Sequence, residues 1–425
     1  MKAFKFFSGI LYLAMLSVFL LACTDTPIFY TLEKAYAIGD DRGLDDDAVV
    51  TKIVYTGTRY FVAAQSVYQR DEGPSGRWQR VTPPADGALC GGLEFFSVTG
   101  NIIAWFYNSA DLKPVGLYSR DPSSSATAAW TGPITDTAWP TSGDWPGQQF
   151  RIHFVKEVNN LLFVSSSVYD SGGSTTTYRL YYSGTAGSDS FTACNTDYGT
   201  ALNNQIIDVE WDGTDYWFIT TPGDSGGSQP IYLYQNAAAG DPSDFDDVSA
   251  AGPAFWKNGS DDPAGTLYTP NSLYYAPAPT DKLYLSGWHG RIFIHSGGSW
   301  STWPAVADQP DRKTVEIGRD DYTVQFTAFV DTGKNSQIFV GSMQYGYFYF
   351  SNSKDGTAAL TPSDLKAAAS DYEYFPADLE DGAIRSFLAP ADAENLNTIF
   401  ACTAKAGLWR GDWSSTESLW IWKQE

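Results

Sequence analysis

The chain has 425 residues, 49 of them acidic and 27 basic, for a formal charge of −22. Nucleic acid is gripped by clustered Lys and Arg, so this balance excludes a nucleic-acid partner. Hydrophobic residues at 43 % and aromatics at 16 % exclude a disordered acidic chain, and 3 His with 4 Cys leave little for a thiol enzyme or a His/Cys metal site.

Lys2 and Lys5 precede an apolar stretch at 6–21, followed by Ala22 and Cys23. Such a stretch falls short of the roughly 20 residues of a permanent span, and a small residue stands before Cys23 as a cleavage site requires. The segment LLAC at 20–23 resembles the lipobox of bacterial lipoproteins. That resemblance implies removal of residues 1–22 as a signal peptide and acylation of Cys23, which then anchors the protein to the lipid bilayer of a bacterial cell envelope. Thr24 after the Cys favours the outer membrane over the inner. Residues 23–47 are expected to form the lipidated tether, and 48–425 the folded body.

Short apolar strands recur seven times: YFVAA from Tyr60, NIIAWF from Asn101, LLFVSS from Leu161, YWFITT from Tyr216, KLYLSG from Lys282, QIFVGS from Gln337 and TIFACT from Thr398. Measured at the third residue, the spacing runs from 41 (62 to 103) to 66 (218 to 284), enough for four short strands with loops. In the last three units the strand leads to a tight turn ending in Gly290, Gly346 or Gly407 and then to a second aromatic strand. Another strand lies upstream of each pair, and a fourth downstream, as in SWSTW from Ser299. A pair of β-sandwiches or a barrel gives many strands without this repeated unit. The expected fold is all-β: a β-propeller of seven four-stranded blades. IFYTLEK from Ile28 is available as a strand that closes the ring, and PSDLKAAAS at 362–370, with Thr361 as N-cap, is the one fair helix candidate.

Several third strands run into a turn that resembles the Asp-box of sialidase-like propellers. VYQRDEGPSGRW at 67–78 keeps Asp71, Gly73 and Trp78, and LYSRDPSS at 117–124 keeps Ser119 and Asp121. In those families the motif is a structural clasp, so it speaks for fold. The resemblance also raises an alternative function, a sialidase-like glycan hydrolase, for which Arg151 and Arg385 on expected innermost strands are the candidate channel residues. A third inner arginine is missing, Lys52 being the nearest substitute, and the blander expectation is that both arginines pair with rim carboxylates.

Connections between blades are rich in acids, and Asp40, Asp41, Asp46, Asp47, Asp320, Asp321 and Asp381 are the candidate binding rim, together with Trp288, His289 and Tyr345 in second-to-third strand turns. Aromatic side chains beside polar groups suit a protein or a sugar. The acids make calcium conceivable, but no Asp-x-Asp-x-Asp-Gly loop is complete, and no cofactor is expected. Of the cysteines left after Cys23, Cys402 lies in an apolar run as a small hydrophobe, and Cys90 with Cys194 is a conceivable disulfide. No catalytic set is complete. The sequence therefore points to a non-enzymatic binding or scaffold propeller for an envelope protein or a glycan, a sugar-binding lectin or adhesin being the other alternative.

Overall fold

The computed structural model describes residues 43–44, 48–73, 76–110, 114–134, 149–169, 176–183, 191–196, 202–220, 232–249, 270–276, 281–287, 292–303, 326–331, 338–342, 347–350, 365–367, 383–390, 397–404, 406–416 and 419–425. The chain divides into two units, Met1–Gly43 and Leu44–Glu425, and every described strand belongs to the second.

Among its described residues that unit holds seven sheets in chain order, built of antiparallel neighbours apart from one short parallel pair. Their innermost strands are Lys52–Tyr55, Ala88–Phe96, Gln149–Val158, Ile206–Trp211, Pro270–Ala276, Phe326–Asp331 and Ile384–Leu388. Each touches the innermost strand of the sheets before and after it, and the last touches the first. The result is a β-propeller.

The second strands coincide with the seven apolar runs in the sequence. They are continuous in hydrophobicity because each sheet lies between two others and is covered on both faces, which removes the alternation of a half-exposed strand. Tyr216–Thr220 and Thr398–Thr403, for example, are buried at every position. The core is accordingly a series of apolar layers between neighbouring sheets. Phe61, Phe163, Phe218, Phe339 and Phe400, all on second strands, are fully buried. Truncating any one to Ala would cost about 3–5 kcal/mol.

Among the described residues six sheets are complete blades of four or five strands and the second has three, so the complete blades number six where seven were expected. The shortfall has a local cause. Thr131 exchanges both backbone hydrogen bonds with Ser119, each 2.9 Å, and Ile134 donates to the Leu117 carbonyl at 2.7 Å, but Pro133 between them has no N–H to give. A fourth strand is thereby reduced to a bridge. The fourth sheet gains a fifth strand, Asn195–Thr196, lying parallel to Asp244–Asp247.

The helix expected at 362–370 is corrected as well. Leu365–Ala367 is a strand paired with Tyr347–Phe350. A nine-residue helix is marginal without packing, whereas an open sheet edge offers the same backbone a ready set of hydrogen bonds. The disulfide is not formed: Cys90, Cys194 and Cys402 are all free and buried. Cys90 and Cys194 belong to different apolar layers. Burial pushes the thiols of Cys90 and Cys402 up to about 12 and raises Cys194 further, so none is a nucleophile near neutral pH.

The last sheet is built entirely from Ile384–Leu388, Thr398–Thr403, Leu408–Ser414 and Leu419–Gln424. IFYTLEK lies outside the described residues. The ring is joined between the first and last sheets by side chains and two backbone bonds: Val50 N–H donates to Thr403 O at 2.9 Å and Gly407 N–H to Ala48 O at 3.2 Å. Val50 and Ile53 pack against Phe400, Cys402 and Leu408. The Arg70 guanidinium donates to the Glu425 carboxylate in the same layer, beneath the rings of Tyr60, Trp78 and Phe400.

Candidate functional site

The seven innermost strands surround a cavity of about 530 Å³, and every one of them contributes to its lining. Six of the seven share one irregularity. The register with the second strand slips by one residue at Gly91, His153, Ile207, Asn271, Thr327 and Arg385. A bulge places an extra residue against one partner, bends the strand and re-aims the side chain there. These positions are equivalent from sheet to sheet, so the bulges make one ring around the channel.

Beyond the bulges, the lining carries Lys52, Lys156 and the pair Asp208 and Glu210, whose spacing of two puts both on one face of their strand. Lys52 forms an ion pair with Glu94 of the next sheet at 3.1 Å. Lys156 reaches Asp208 at 2.8 Å and Glu210 at 3.2 Å on the sheet that follows its own. Asp208 also accepts the backbone N–H of Leu273 at 2.8 Å, and Ser386 donates to the Thr51 carbonyl at 3.1 Å. The inner strands are thus stitched across four of the seven sheet junctions. Burial raises Glu94 above the usual carboxylate range, with Lys52 opposing the shift, and acts likewise on Glu210 against Lys156. Burial alone would lower Lys156, but Asp208 and Glu210 outweigh it and hold the ammonium above its ordinary value.

His153 sits on its bulge with both ring nitrogens engaged. The Gln205 amide donates to Nδ1 at 3.3 Å, which leaves Nε2–H to donate to Ser167 Oγ at 2.8 Å. Ser167 is fully buried, so this pair holds the ring in place and offers no accessible nucleophile. Burial, helped by the charge of Arg151, pulls His153 down to about 4. The unfolded chain takes up this proton near pH 6.5, so between pH 6.5 and 4 it binds more protons than the native state and stability falls as pH falls. From pH 7 to 4.5 the loss from this one group amounts to about 2–3 kcal/mol. In His153→Gln, urea denaturation at the two pH values should show an acid sensitivity smaller by that amount.

The second sheet admits an aromatic group to the channel. Gly91 and Gly92 lie directly under Trp105 of the neighbouring strand; a Cβ on Gly91 would stand 2.3 Å from its Nε1, and one on Gly92 2.0 Å from Cη2. Two glycines in succession are what lets the indole lean over the inner strand and line the cavity.

Arg151 and Arg385 both lie on innermost strands, as expected. Arg385 is exposed at its bulge and lines the cavity, whereas Arg151 is exposed two residues before His153 and is not part of the lining. No carboxylate among the described residues pairs with Arg385, although Lys52 and Lys156 are both paired. The candidate rim residues Asp40, Asp41, Asp46, Asp47, Asp320, Asp321, Asp381, Trp288, His289 and Tyr345 lie outside the described residues, as does Cys23. Among the described residues no group of three or more His, Cys, Asp or Glu is placed to hold a metal ion, and no helix is long and apolar enough to cross a membrane.

No family model and no curated protein matches the chain. Among solved structures it is similar to the extracellular domain of the one-component system BT4673 from B. thetaiotaomicron, at 13 % identity and a TM-score of 0.52 over 85 % of this chain. A second structure of an extracellular domain, that of the hybrid two-component system BT4673, matches at 12 % identity and a TM-score of 0.44, also over 85 % of this chain. The chain spans 38 % of the length of each of these structures. The likeness at 0.52 agrees with the propeller fold.

Proposed function

We propose that this protein is a lipid-anchored envelope propeller that binds a protein or glycan partner without transforming it, and that the three-stranded second sheet counts as its seventh blade. The cavity carries this reading. Every inner strand lines it, while its lysines and carboxylates are committed to ion pairs: Lys52 to Glu94 of the next sheet, and Lys156 to Asp208 and Glu210. Each of these charged side chains is held in an ion pair with a neighbouring sheet, which fixes it in place between the inner strands. The sialidase-like alternative asks for several arginines around one carboxylate, and only Arg385 of the two candidates is in the lining.

Anchoring rests on LLAC at 20–23 and the apolar stretch before it. A likeness in fold to an extracellular domain supports a site outside the cytoplasm, and Thr24 favours the outer membrane. The acidic segments around Asp40, Asp320 and Asp381 would supply a second, rim contact for a basic protein surface. Cys23→Ser tests the anchor: the unaltered protein is expected in the membrane fraction carrying a metabolically supplied acyl label, and the variant is expected unlabelled and released. In-cell crosslinking of the unaltered protein tests the binding. A defined envelope partner or a bound saccharide recovered with it supports the reading, and recovery of neither contradicts it.

A further inference from the structure

We propose that the ligand of the central cavity is an acidic saccharide, its carboxylate held by Arg385 and a sugar ring laid against Trp105. This rests on the binding reading above and names the ligand class that reading leaves open.

Arg385 carries the anionic part. It is the one cation in the described lining without a carboxylate partner, in a protein whose formal charge is −22. Acids outnumber bases almost two to one, so a lining cation with no carboxylate partner among the described residues is opposed by the composition. Its place on a bulge, between Ile384 and Ser386, directs the strand irregularity to this residue. The planar guanidinium offers a fork of N–H donors that matches the two oxygens of a carboxylate.

Trp105 carries the saccharide part, by an independent observation. The consecutive glycines Gly91 and Gly92 give up two side chains on the inner strand so that the indole reaches the cavity. The half-buried indole packs against the apolar layer between the second and third sheets and borders the cavity, an apolar surface that suits the C–H face of a pyranose, while the sugar hydroxyls require donors and acceptors nearby. Ser272, Ser386, His153 and Asp208 share the same lining. A volume of about 530 Å³ falls in the range of small-ligand pockets and is too small for a folded partner. Lys156 with its two carboxylates lies on the third and fourth sheets and Arg385 on the seventh, so an anion at Arg385 is held across the channel from the acidic pair.

The test is calorimetric titration of the full-length chain with a glucuronic-acid-containing disaccharide and with its carboxyl-reduced, neutral counterpart. Saturable binding of the acidic sugar is expected, with at least tenfold preference over the neutral one. Arg385→Gln should weaken the acidic sugar about 10- to 100-fold, the worth of a charge-assisted hydrogen bond, and leave the neutral sugar unchanged. Trp105→Ala should weaken both. Arg385 is exposed and has no ion pair among the described residues, so its variant is expected to fold; a thermal melt matching the unaltered protein verifies this. Equal binding of both sugars, or an Arg385→Gln variant that binds like the unaltered protein, overturns the acidic assignment and leaves the binding reading standing. No binding of either sugar overturns the saccharide assignment, and the crosslinking experiment then decides the binding reading separately.

Discussion

Replacing Lys156 with Met is expected to destabilise the protein by about 3–5 kcal/mol at pH 7, the cost of leaving buried charge without its partner. The ammonium lies between the Asp208 and Glu210 carboxylates, and all three side chains are largely withdrawn from water. Met keeps most of the stem volume, so the effect reports charge more than packing. Two carboxylates would then face each other on the same face of one strand. The sign with pH follows. Lys156 opposes the upward shift that burial imposes on Glu210, so without it Glu210 takes up a proton more readily, which relieves the repulsion, and the deficit shrinks as pH falls. Urea denaturation of the single variant and of Lys156→Met/Asp208→Asn/Glu210→Gln measures this. The triple variant should recover most of the loss, because neutral amides keep an acceptor for Leu273 N–H and strand no charge. A single variant as stable as the parent would mean the inner strands are not linked through this pair.

Arg70→Met is the second large effect, again about 3–5 kcal/mol, and it acts on the joint of the ring. Arg70 and Glu425 have side chains only 7 % and 6 % exposed, so removing the guanidinium strands a carboxylate in an apolar layer. It also removes the cation 4.8 Å from the Trp78 ring and 5.5 Å from that of Tyr60. The loss should be local before it is global. Hydrogen exchange at Val50 and Gly407, whose N–H groups cross the seam to Thr403 and Ala48, is expected to accelerate more than at Phe218 or Ile219 on the far side of the ring. The paired variant Arg70→Met/Glu425→Leu should approach the parent, since a buried ion pair is often replaceable by apolar side chains although neither half is dispensable alone.

The strand positions were legible in the sequence because burial on both faces writes itself as an unbroken apolar run, as in YWFITT and TIFACT. The helix at 362–370 misled because Ala-rich composition reports propensity, whereas the outcome was set by an open edge on Tyr347–Phe350. The short second sheet was hidden in the contribution of one proline, Pro133, to a strand that otherwise pairs. Arg385 was visible as an innermost residue, and the rim carboxylates expected to pair with it lie outside the described residues. Lys52 with Glu94, Lys156 with Asp208 and Glu210, and Arg70 with Glu425 all join different sheets, and such pairs depend on the alignment between blades, which one sequence does not contain. A signal was nevertheless present. KIVY, GLEF, VKEV and DVEW each set a charge inside an apolar inner strand, a placement that demands a partner on a neighbouring strand.

The central claim, binding without transformation inside the channel, is tested most directly by long incubation of the full-length chain with an acidic oligosaccharide. Equilibrium dialysis gives the bound fraction, and mass spectrometry of the recovered sugar gives its fate. Stoichiometric binding with the sugar returned intact is the result expected. Cleaved sugar, formed by the unaltered protein and abolished in Arg385→Gln or Glu210→Gln, would contradict it and make the cavity an active site.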